Sequence, residues 1–593
     1  MNPHVNIASD LTITVRRVIF FVLSLGTALL MLYLVHQTLV ATIPTIIRII
    51  ILGLFALTLP WMVVGFWNAI IGLLICQCVK DPITFILPKN MQVRDTLPIT
   101  SSTAILLCIR NESPARLLRN LQAMLEDIAQ DQLGSFFHVF VLSDTNEVSI
   151  AEEERASFEE MRKNWSPQIQ ITYRCREDNT GFKAGNIADF CQRWGKDHDF
   201  ALVLDADSFM ASSAITRLVR MMQANPRLGI LQGLVIGLPS TSPFTRLFQY
   251  GMRLGMRSYT MGSAWWQADC GPYWGHNALI RLRPFMEFCD LPVLKNSSGV
   301  PSSILSHDLI EAVLMRRAGY EVRIYPQEDL SWEENPATLT EYIRRDLRWC
   351  EGNLQYRNLL TLPNLRPVNR YQLVLAIAMF LGSPAWIILI FFCTIAISLS
   401  ITPAALVNID YFSSLLIVTL IMWYLPKIAG AINVLLQTSK SKLFGGRWRF
   451  CINLILEMVF SLLMTPITWL NHTIFILSLA FEKKGGWSGQ SRDDHSISVA
   501  HAVNQFWPHT ILGLGLSSLL YFNHPDALPY GILFFGGLLF SIPLVVITSQ
   551  PWLGRLMIRY RLLSLPEEII PAKELLPLQL SALQVSANTL HKT

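Results

Sequence analysis

Charge is scarce in this sequence. Only 15% of its 593 residues are Asp, Glu, Lys or Arg, whereas 51% are hydrophobic and the mean hydropathy is +0.37. This balance is too apolar for an ordinary soluble enzyme and indicates a protein with membrane and soluble parts. The net charge is only +5, and the Lys and Arg residues lie at the ends of apolar runs rather than in one basic stripe. We therefore expect no binding of nucleic acid.

The cysteines of this sequence are not spaced as in a disulfide-rich or metal-binding motif. The ten cysteines form no CxxC pair and no Cys/His combination typical of a metal site. Neither a disulfide framework nor a zinc centre is therefore indicated, and we expect free thiols. The sequence also has no internal repeat and no low-complexity segment.

Apolar runs predict six transmembrane spans. They lie at residues 18–35, 49–76, 371–400, 412–436, 510–522 and 528–549. The first run follows two arginines and has no small-residue cleavage site, which favours a retained span over a removed signal peptide. Residues 451–480 are too few for two comfortable spans and contain Glu457, Pro466 and His472. We expect two interfacial helices there, with two short buried spans as the alternative.

The basic residues predict the orientation of these spans. Loops 401–414 and 523–527 contain no Lys or Arg, whereas the other loops do. By the positive-inside rule, the soluble part and both termini are expected in the cytosol, with the spans in a bacterial inner membrane. The predicted organisation is a transmembrane pair (1–80), a soluble domain (81–370), a second pair (371–450), interfacial helices with a polar loop (451–507), a third pair (508–550) and a cytosolic tail (551–593).

Within the soluble domain, short β-rich runs alternate with helix-like stretches. The runs lie at 104–109, 137–142, 169–173 and 200–204, and the stretches at 115–126, 152–163, 184–194 and 212–223. This alternation predicts βαβ units and a mainly parallel sheet. Ligands of such sheets bind at the carboxyl ends of the strands, so the residues after each run are the candidates for a site.

Two aspartates separated by one residue follow the fourth run. Asp205 and Asp207 could project into one pocket, where a divalent metal would hold both carboxylates and a diphosphate together. The alternative is a capped turn, because Asp followed by Ser is an ordinary strand-to-helix junction.

Polar residues also follow the other three runs. Glu112 and Asp144 could accept hydrogen bonds from a nucleotide, while Lys183, close to two glycines and a helix start, could neutralise a phosphate. As alternatives, the two carboxylates would be turn or cap residues and Lys183 a solvated lysine. Convergence of four strand ends on one edge favours a site.

Two helices further along carry candidates for catalysis. Asp308 opens a helix-like stretch and is suited to act as a general base, unless it is only an N-cap. Arg345 and Arg348 share a helix face that could bind a diphosphate, and Trp349 could stack on a sugar ring. The alternative is a basic helix anchored at the membrane by Trp.

Taken in order, these residues resemble the motifs of processive family 2 glycosyltransferases, which include cellulose and hyaluronan synthases. The sequence from Arg345 to Trp349 is similar to their QxxRW motif, with Arg in the first position. The resemblance is closer to the glucans biosynthesis glucosyltransferase H family and covers roughly residues 100 to 550. It is carried by the segments 273–278, 304–308, 315–319, 348–354 and 490–494.

The resemblance implies a GT-A fold with a Rossmann-like mixed sheet, UDP-glucose as donor, Mg²⁺ or Mn²⁺ as cofactor, and export of a β-glucan across the bilayer to the periplasm. Asp308 would be the base, and Asp205 and Asp207 would bind UDP and metal. The other implied substrate-binding residues are Glu112, Asp144, Lys183, His276, Arg345, Arg348, Trp349 and Arg492.

The polar stretch 485–498 lies where cellulose synthases have a gating loop, and it could also be an ordinary solvated loop. The long cytosolic amino-terminal region of enterobacterial members is expected to be missing, since the apolar sequence begins near residue 18. The family also implies a periplasmic protein that modifies the glucan. Two rival functions are a non-processive transfer of one sugar to a lipid phosphate and a membrane transporter with a nucleotide-sensing domain.

Overall fold

A computed structural model describes residues 7–295, 301–481 and 493–584. Two long helices open the chain, α1 (Ile7–Thr38) and α2 (Thr45–Cys78), and a short helix α3 (Pro82–Ile86) follows. Both long helices are predominantly apolar, as the sequence predicts.

The α/β domain comes next. Its elements are β1 (Thr103–Ile109), α4 (Pro114–Gln130), β2 (Phe137–Ser143), α5 (Val148–Trp165), β3 (Gln170–Cys175), α6 (Phe182–Trp194), β4 (Phe200–Asp205), β5 (Phe209–Met210), α7 (Ser212–Ala224), β6 (Leu228–Gly237), α8 (Pro243–Gln267), β7 (Ala278–Arg281), α9 (Leu282–Phe288), β8 (Leu294–Lys295), β9 (Pro301–Ser302), α10 (Asp308–Arg317), β10 (Glu321–Glu333) and α11 (Leu339–Gln355).

The main sheet of this domain is mixed, with the strand order β3-β2-β1-β4-β7-β6-β10-β5. Strands β1 to β4 pair in parallel, whereas β7 is antiparallel to both β4 and β6. The predicted α/β domain between apolar helices is thus confirmed. Because β1, β2, β3 and β4 run in the same direction, their carboxyl ends meet at one edge of the sheet.

The remaining helices follow the α/β domain. They are α12 (Pro367–Leu399), α13 (Ile409–Leu435), α14 (Thr438–Lys442), α15 (Arg447–Ala480), α16 (Val499–Asn523), α17 (Leu528–Leu539), α18 (Ser541–Thr548), α19 (Pro551–Arg559) and α20 (Pro566–Ile569). Within the described residues, α1, α2, α12, α13 and α15 are each long and apolar enough to cross a membrane. The segment 525–539 and α18, bent by 55°, would together make a sixth span. The predicted run at 510–522 lies inside α16, which is not among these helices.

The expectation of two helices at 451–480 is wrong, because α15 is one continuous helix. Glu457 and His472 do not force a break, since both have a partner on a neighbouring helix. Glu457 pairs with Lys427 at 2.6 Å, and His472 lies 2.7 Å from Asp346. A helix with internally paired polar groups can remain continuous in apolar surroundings.

The loops between the long helices meet at one end of the helical bundle. Val40 donates its N–H to Leu406 O at 3.1 Å, and the His524 ring lies 2.9 Å from Ser400 O. The α/β domain lies at the opposite end, where α8 packs against α2. Trp266 of α8 donates to the Asn68 side chain at 2.9 Å, a contact that joins the domain to the bundle.

The segment after α19 returns to the α/β domain. Glu568 pairs with Arg246 of α8 at 2.7 Å, and both side chains are buried. Leu575 and Leu578 belong to the same hydrophobic core as Leu121 of α4. This returning segment (residues 566–578) therefore completes the domain core.

Candidate active site at the carboxyl edge of the sheet

The end of β4 and the starts of α6 and α10 meet at one point. The Lys183 ammonium donates to the Asp205 carboxylate and, at 2.7 Å, to the carbonyl oxygen of Gly275. Burial lowers the pKa of Lys183, but the Asp205 carboxylate outweighs this and holds the pKa above its ordinary value. Lys183 is thus a charged group between Asp205 and the loop that carries His276.

Gly275 lies on that loop in a backbone conformation that favours glycine. Its φ is +82°, and a Cβ at this position would lie 3.4 Å from Asp308 Cβ. The loop is held from behind by the buried Gln232, whose amide donates to His276 O and accepts from the Trp274 N–H. The backbone around Gly275 therefore leaves Asp308 facing the same space as Lys183.

Asp308 is the first residue of α10, and His307 occupies the N-cap position. No side-chain capping bond is made there, so the alternative of Asp308 as a plain N-cap does not hold. His307 lies 2.9 Å from Glu311, whose carboxylate raises the pKa of His307 against the opposing effect of burial. The half-buried Asp308 carboxylate lies at the positive end of the helix dipole.

A second group of acidic residues surrounds Asp207. Glu333, at the end of β10, lies 3.4 Å from the His276 ring. Burial raises the pKa of Glu333; His276 opposes this shift, and the carboxylates of Asp207 and Asp205 add to it. The Asp205 and Asp207 carboxylates that raise the pKa of Glu333 concentrate negative charge in one region, which favours a bound cation.

The first two strand ends carry the remaining carboxylates. Asp144 accepts two hydrogen bonds of 2.7 Å from Arg176. A nucleotide would therefore have to donate to the remaining lone pairs of the Asp144 carboxylate. Glu112 is half-buried on the loop after β1. Its neighbour Asn111 donates its N–H to the Thr145 hydroxyl at 2.9 Å, which joins this loop to the one that carries Asp144.

Helix α11 brings the basic and aromatic candidates to the same edge. The Arg345 guanidinium lies 4.8 Å from the Trp349 ring centroid, and its positive charge partly opposes the rise that burial causes in the pKa of Glu333. Arg348 is half-buried on the same helix. Near the end of α11, Tyr356 donates to Ser306 O at 2.9 Å. Since Ser306 is two residues before Asp308, α11 supports the start of α10 directly.

Three contributors were missed in the sequence analysis: Arg176, Gln232 and Glu333. Glu333 is the last residue of β10, a strand in which polar and apolar residues do not alternate, so the sequence pattern does not predict the strand end. Gln232 lies in the middle of the fully buried β6, where a polar residue is itself a signal. Arg492 lies outside the described residues.

Asp269 connects α10 to the membrane helices. It follows α8 and pairs with Arg17 of α1 at 2.6 Å and with Arg316 of α10. Burial raises the pKa of Asp269, but the two guanidinium groups outweigh it and hold the pKa at about 2. This ion-pair cluster joins the carboxyl end of α10 to α1.

We expect Asp269→Asn to lower the stability of the folded protein at pH 7. A carboxylate whose pKa is lowered by folding stabilises the folded state above its ordinary pKa, and this contribution is lost as the pH falls towards about 2. The loss should be about 2 kcal/mol, because one pKa unit corresponds to about 1.4 kcal/mol. Thermal unfolding of both proteins in detergent should show a difference that shrinks below pH 4. A difference that stays constant with pH would contradict this assignment, and Asp95→Asn, at an exposed ion pair, is the matched control.

Parts of this chain match known protein families. Residues 104–288 match the family described as Glycosyl transferase family 2, and residues 200–481 match Glycosyl transferase family group 2. Glucans biosynthesis glucosyltransferase H of Ralstonia nicotianae is 34% identical over 545 residues, which cover 89% of this chain and 62% of that protein. The protein of the same description from Pseudomonas syringae pv. syringae is 32% identical over 558 residues, which cover 91% of this chain and 68% of that protein. This chain thus spans about two thirds of the length of these relatives.

Among solved structures, the mannosyltransferase PcManGT from Pyrobaculum calidifontis, in complex with GDP-Man and Mn²⁺, is 16% identical to this chain with a TM-score of 0.41. The match covers 65% of this chain and 97% of the mannosyltransferase.

Proposed function

Because this chain belongs to the glucans biosynthesis glucosyltransferase H family, we propose that it is an inverting, processive glucosyltransferase. It would polymerise glucose from UDP-glucose into a β-glucan and export the glucan through its own membrane helices. The mixed sheet and the family 2 match give its α/β domain the GT-A fold. The observation that carries the proposal is the convergence of Lys183, Asp205 and Asp308 at one edge of the sheet.

UDP would bind across the ends of the parallel strands. Glu112 and Asp144 would accept hydrogen bonds from the uracil and ribose, and Lys183 would be close to the phosphates. Arg345 and Arg348 would contact the diphosphate from the side of α11, where Trp349, 47% exposed, offers a face to the acceptor sugar. His276 would contact the donor sugar next to Glu333, and Arg492 would approach the diphosphate from the polar loop.

The acidic residues fit a divalent cation. The Asp207 and Asp205 carboxylates raise the pKa of Glu333, and this concentration of negative charge supports a cation site. Carboxylate oxygens are suitable ligands for Mg²⁺ or Mn²⁺. Among the described residues, no three His, Cys, Asp or Glu side chains are spaced to hold a metal alone. Asp205 and Asp207 would therefore share the ion with the diphosphate, as is usual for Mg²⁺. When bound, the ion would supply positive charge that stabilises the leaving UDP.

The reaction would be one displacement at the anomeric carbon. Asp308 takes the proton from the acceptor hydroxyl, whose oxygen forms the new bond while the bond to UDP breaks. Arg345 and Arg348 stabilise the charge on the departing diphosphate. The incoming oxygen attacks from the face opposite UDP, so an α-linked donor gives a β-linked product.

A cavity in the helical bundle supports export. It has a volume of about 330 Å³ and lies between α2, α12, α13 and α15. Trp386 and Trp469 stack in its wall with ring centroids 5.1 Å apart, and Lys427 and Ser461 add polar groups. Aromatic faces beside polar groups are suited to sugar rings. The loops that meet at the far end of the bundle would then be periplasmic, and the α/β domain and both termini cytosolic, because the far loops contain no Lys or Arg.

The proposal predicts that purified wild-type protein converts UDP-glucose and Mg²⁺ into alkali-stable polymer. Radiolabelled glucose in the polymer and released UDP should be measured on the same sample. Product that partitions with lipid and contains one glucose would instead indicate transfer to a lipid phosphate. UDP-glucose binding without turnover would indicate a nucleotide-sensing domain and contradict the proposed enzyme.

A further inference from the structure

Three polar side chains connect the α/β domain to the wall of the cavity. Nε2 of His472, on α15, lies 2.7 Å from the Asp346 carboxylate on α11. The other ring nitrogen, Nδ1, lies 2.9 Å from the hydroxyl of Ser383 on α12. His472 and Ser383 are 8% and 4% exposed, so the connection is almost fully removed from solvent.

The chemistry of these groups fixes the orientation of the imidazole ring. A carboxylate only accepts, so Nε2 carries the proton that is donated to Asp346. In the neutral ring, Nδ1 then accepts from the Ser383 hydroxyl. Phe380 packs against the ring edge to face at 5.0 Å and adds a third contact to the two at the ring nitrogens. Rotation of the imidazole ring would break both hydrogen bonds, so the ring fixes the positions of Asp346 and Ser383 relative to each other.

The two ends of this connection belong to the two halves of the proposed glucan path. Asp346 lies between Arg345 and Arg348 on α11, the helix proposed to bind the diphosphate and the acceptor. Ser383 lines the cavity, and one turn further along the same two helices Trp386 stacks on Trp469. The connection therefore spans from the helix at the reaction centre to the helices at the cavity.

We propose that His472 is a positioning residue that aligns α11 with the cavity wall, so that the glucan end leaving the active site enters the cavity. The inference rests on the proposed polymerase function. His472 touches neither donor nor metal, and it acts through Asp346. Its loss would leave UDP binding intact and impair the repeated use of one growing chain.

The test is His472→Phe in the full-length, detergent-purified protein. Phenylalanine keeps the ring next to Phe380 and removes both hydrogen bonds. We expect polymer formation to fall by about 10-fold or more, since a misplacement of about 1 Å costs roughly 100-fold. The products should become shorter, measured as more reducing ends per glucose incorporated. UDP affinity and the KM for UDP-glucose should stay within about 2-fold of wild type, which indicates that ground-state binding is retained.

His509→Phe is the matched control. His509 is a buried histidine of α16 that lies 3.0 Å from Asn471, the residue before His472, and among the described residues no hydrogen bond joins it to α11. This variant should keep wild-type product length. Asp346→Ala breaks the same connection from the other side, and the double variant with His472→Phe should be no worse than either single variant. Asp346→Ala also serves as the test if His472→Phe does not fold.

Products of normal length from folded His472→Phe would overturn the inference. Joint loss of polymer formation and UDP binding would also overturn it, because that result indicates support of the whole fold. Wild-type protein that makes no polymer would overturn the proposed function, and with it the positioning role that rests on it.

Discussion

Asp308→Asn is expected to reduce glucan synthesis by roughly 10²–10⁴-fold, the usual contribution of a general base. The amide has the same shape but cannot take a proton from the acceptor hydroxyl at neutral pH. The change should cost the fold little, since losing a charge at a helix start costs about 0.3–1 kcal/mol. UDP and metal binding should survive, because the residues proposed for them lie on other elements.

The measurement combines polymer formation and UDP affinity on the same purified variant. Glu159→Gln, which removes a charge from the exposed face of α5, is the matched control and should keep wild-type synthesis. Retained synthesis in Asp308→Asn would remove this residue from the mechanism. Loss of both synthesis and UDP binding would give Asp308 a structural role instead.

Asp207→Ala should abolish metal-dependent synthesis, with a loss of at least about 100-fold, since a catalytic metal contributes several kcal/mol. The fold should be preserved, because removing Asp207 relieves the like-charge effect on Glu333. The decisive readout is UDP affinity with and without Mg²⁺. Mg²⁺ should strengthen UDP binding in the wild type and have little effect in the variant.

An unchanged response to Mg²⁺ in Asp207→Ala would contradict the assignment of a metal site to this strand end. Glu159→Ala, at an exposed carboxylate of α5 paired with Arg162, controls for the loss of one acidic group in the same domain. It should behave as wild type in both measurements.

The first half of the α/β domain could be predicted from the sequence because its pattern is local. The first four strands are short apolar runs separated from one another by helices, and the observed bounds of β1 to β4 differ from the expected ones by no more than two residues. The second half could not be predicted in the same way. Strand β7 has only four residues, and β10 pairs with β6 through several register shifts.

The candidate residues could be chosen because polar side chains after parallel strands share one edge. Their partners could not, because Arg176 and Gln232 contact the site only through pairing between distant elements. The continuity of α15 was missed for the same reason. From sequence, Glu457 and His472 suggest a break, and only their partners on other helices show that none is needed.

The returning segment at residues 566–578 has a consequence for biosynthesis of the protein. Leu575 and Leu578 fill the same core as strands made hundreds of residues earlier, and Glu568 neutralises a buried arginine of α8. While the ribosome is still translating α12 to α18, the catalytic domain therefore lacks part of its interior and the carboxylate partner of Arg246. The domain reaches its final stability only after the membrane helices have been synthesised. Insertion of these helices by the translocon therefore comes before the catalytic domain is complete.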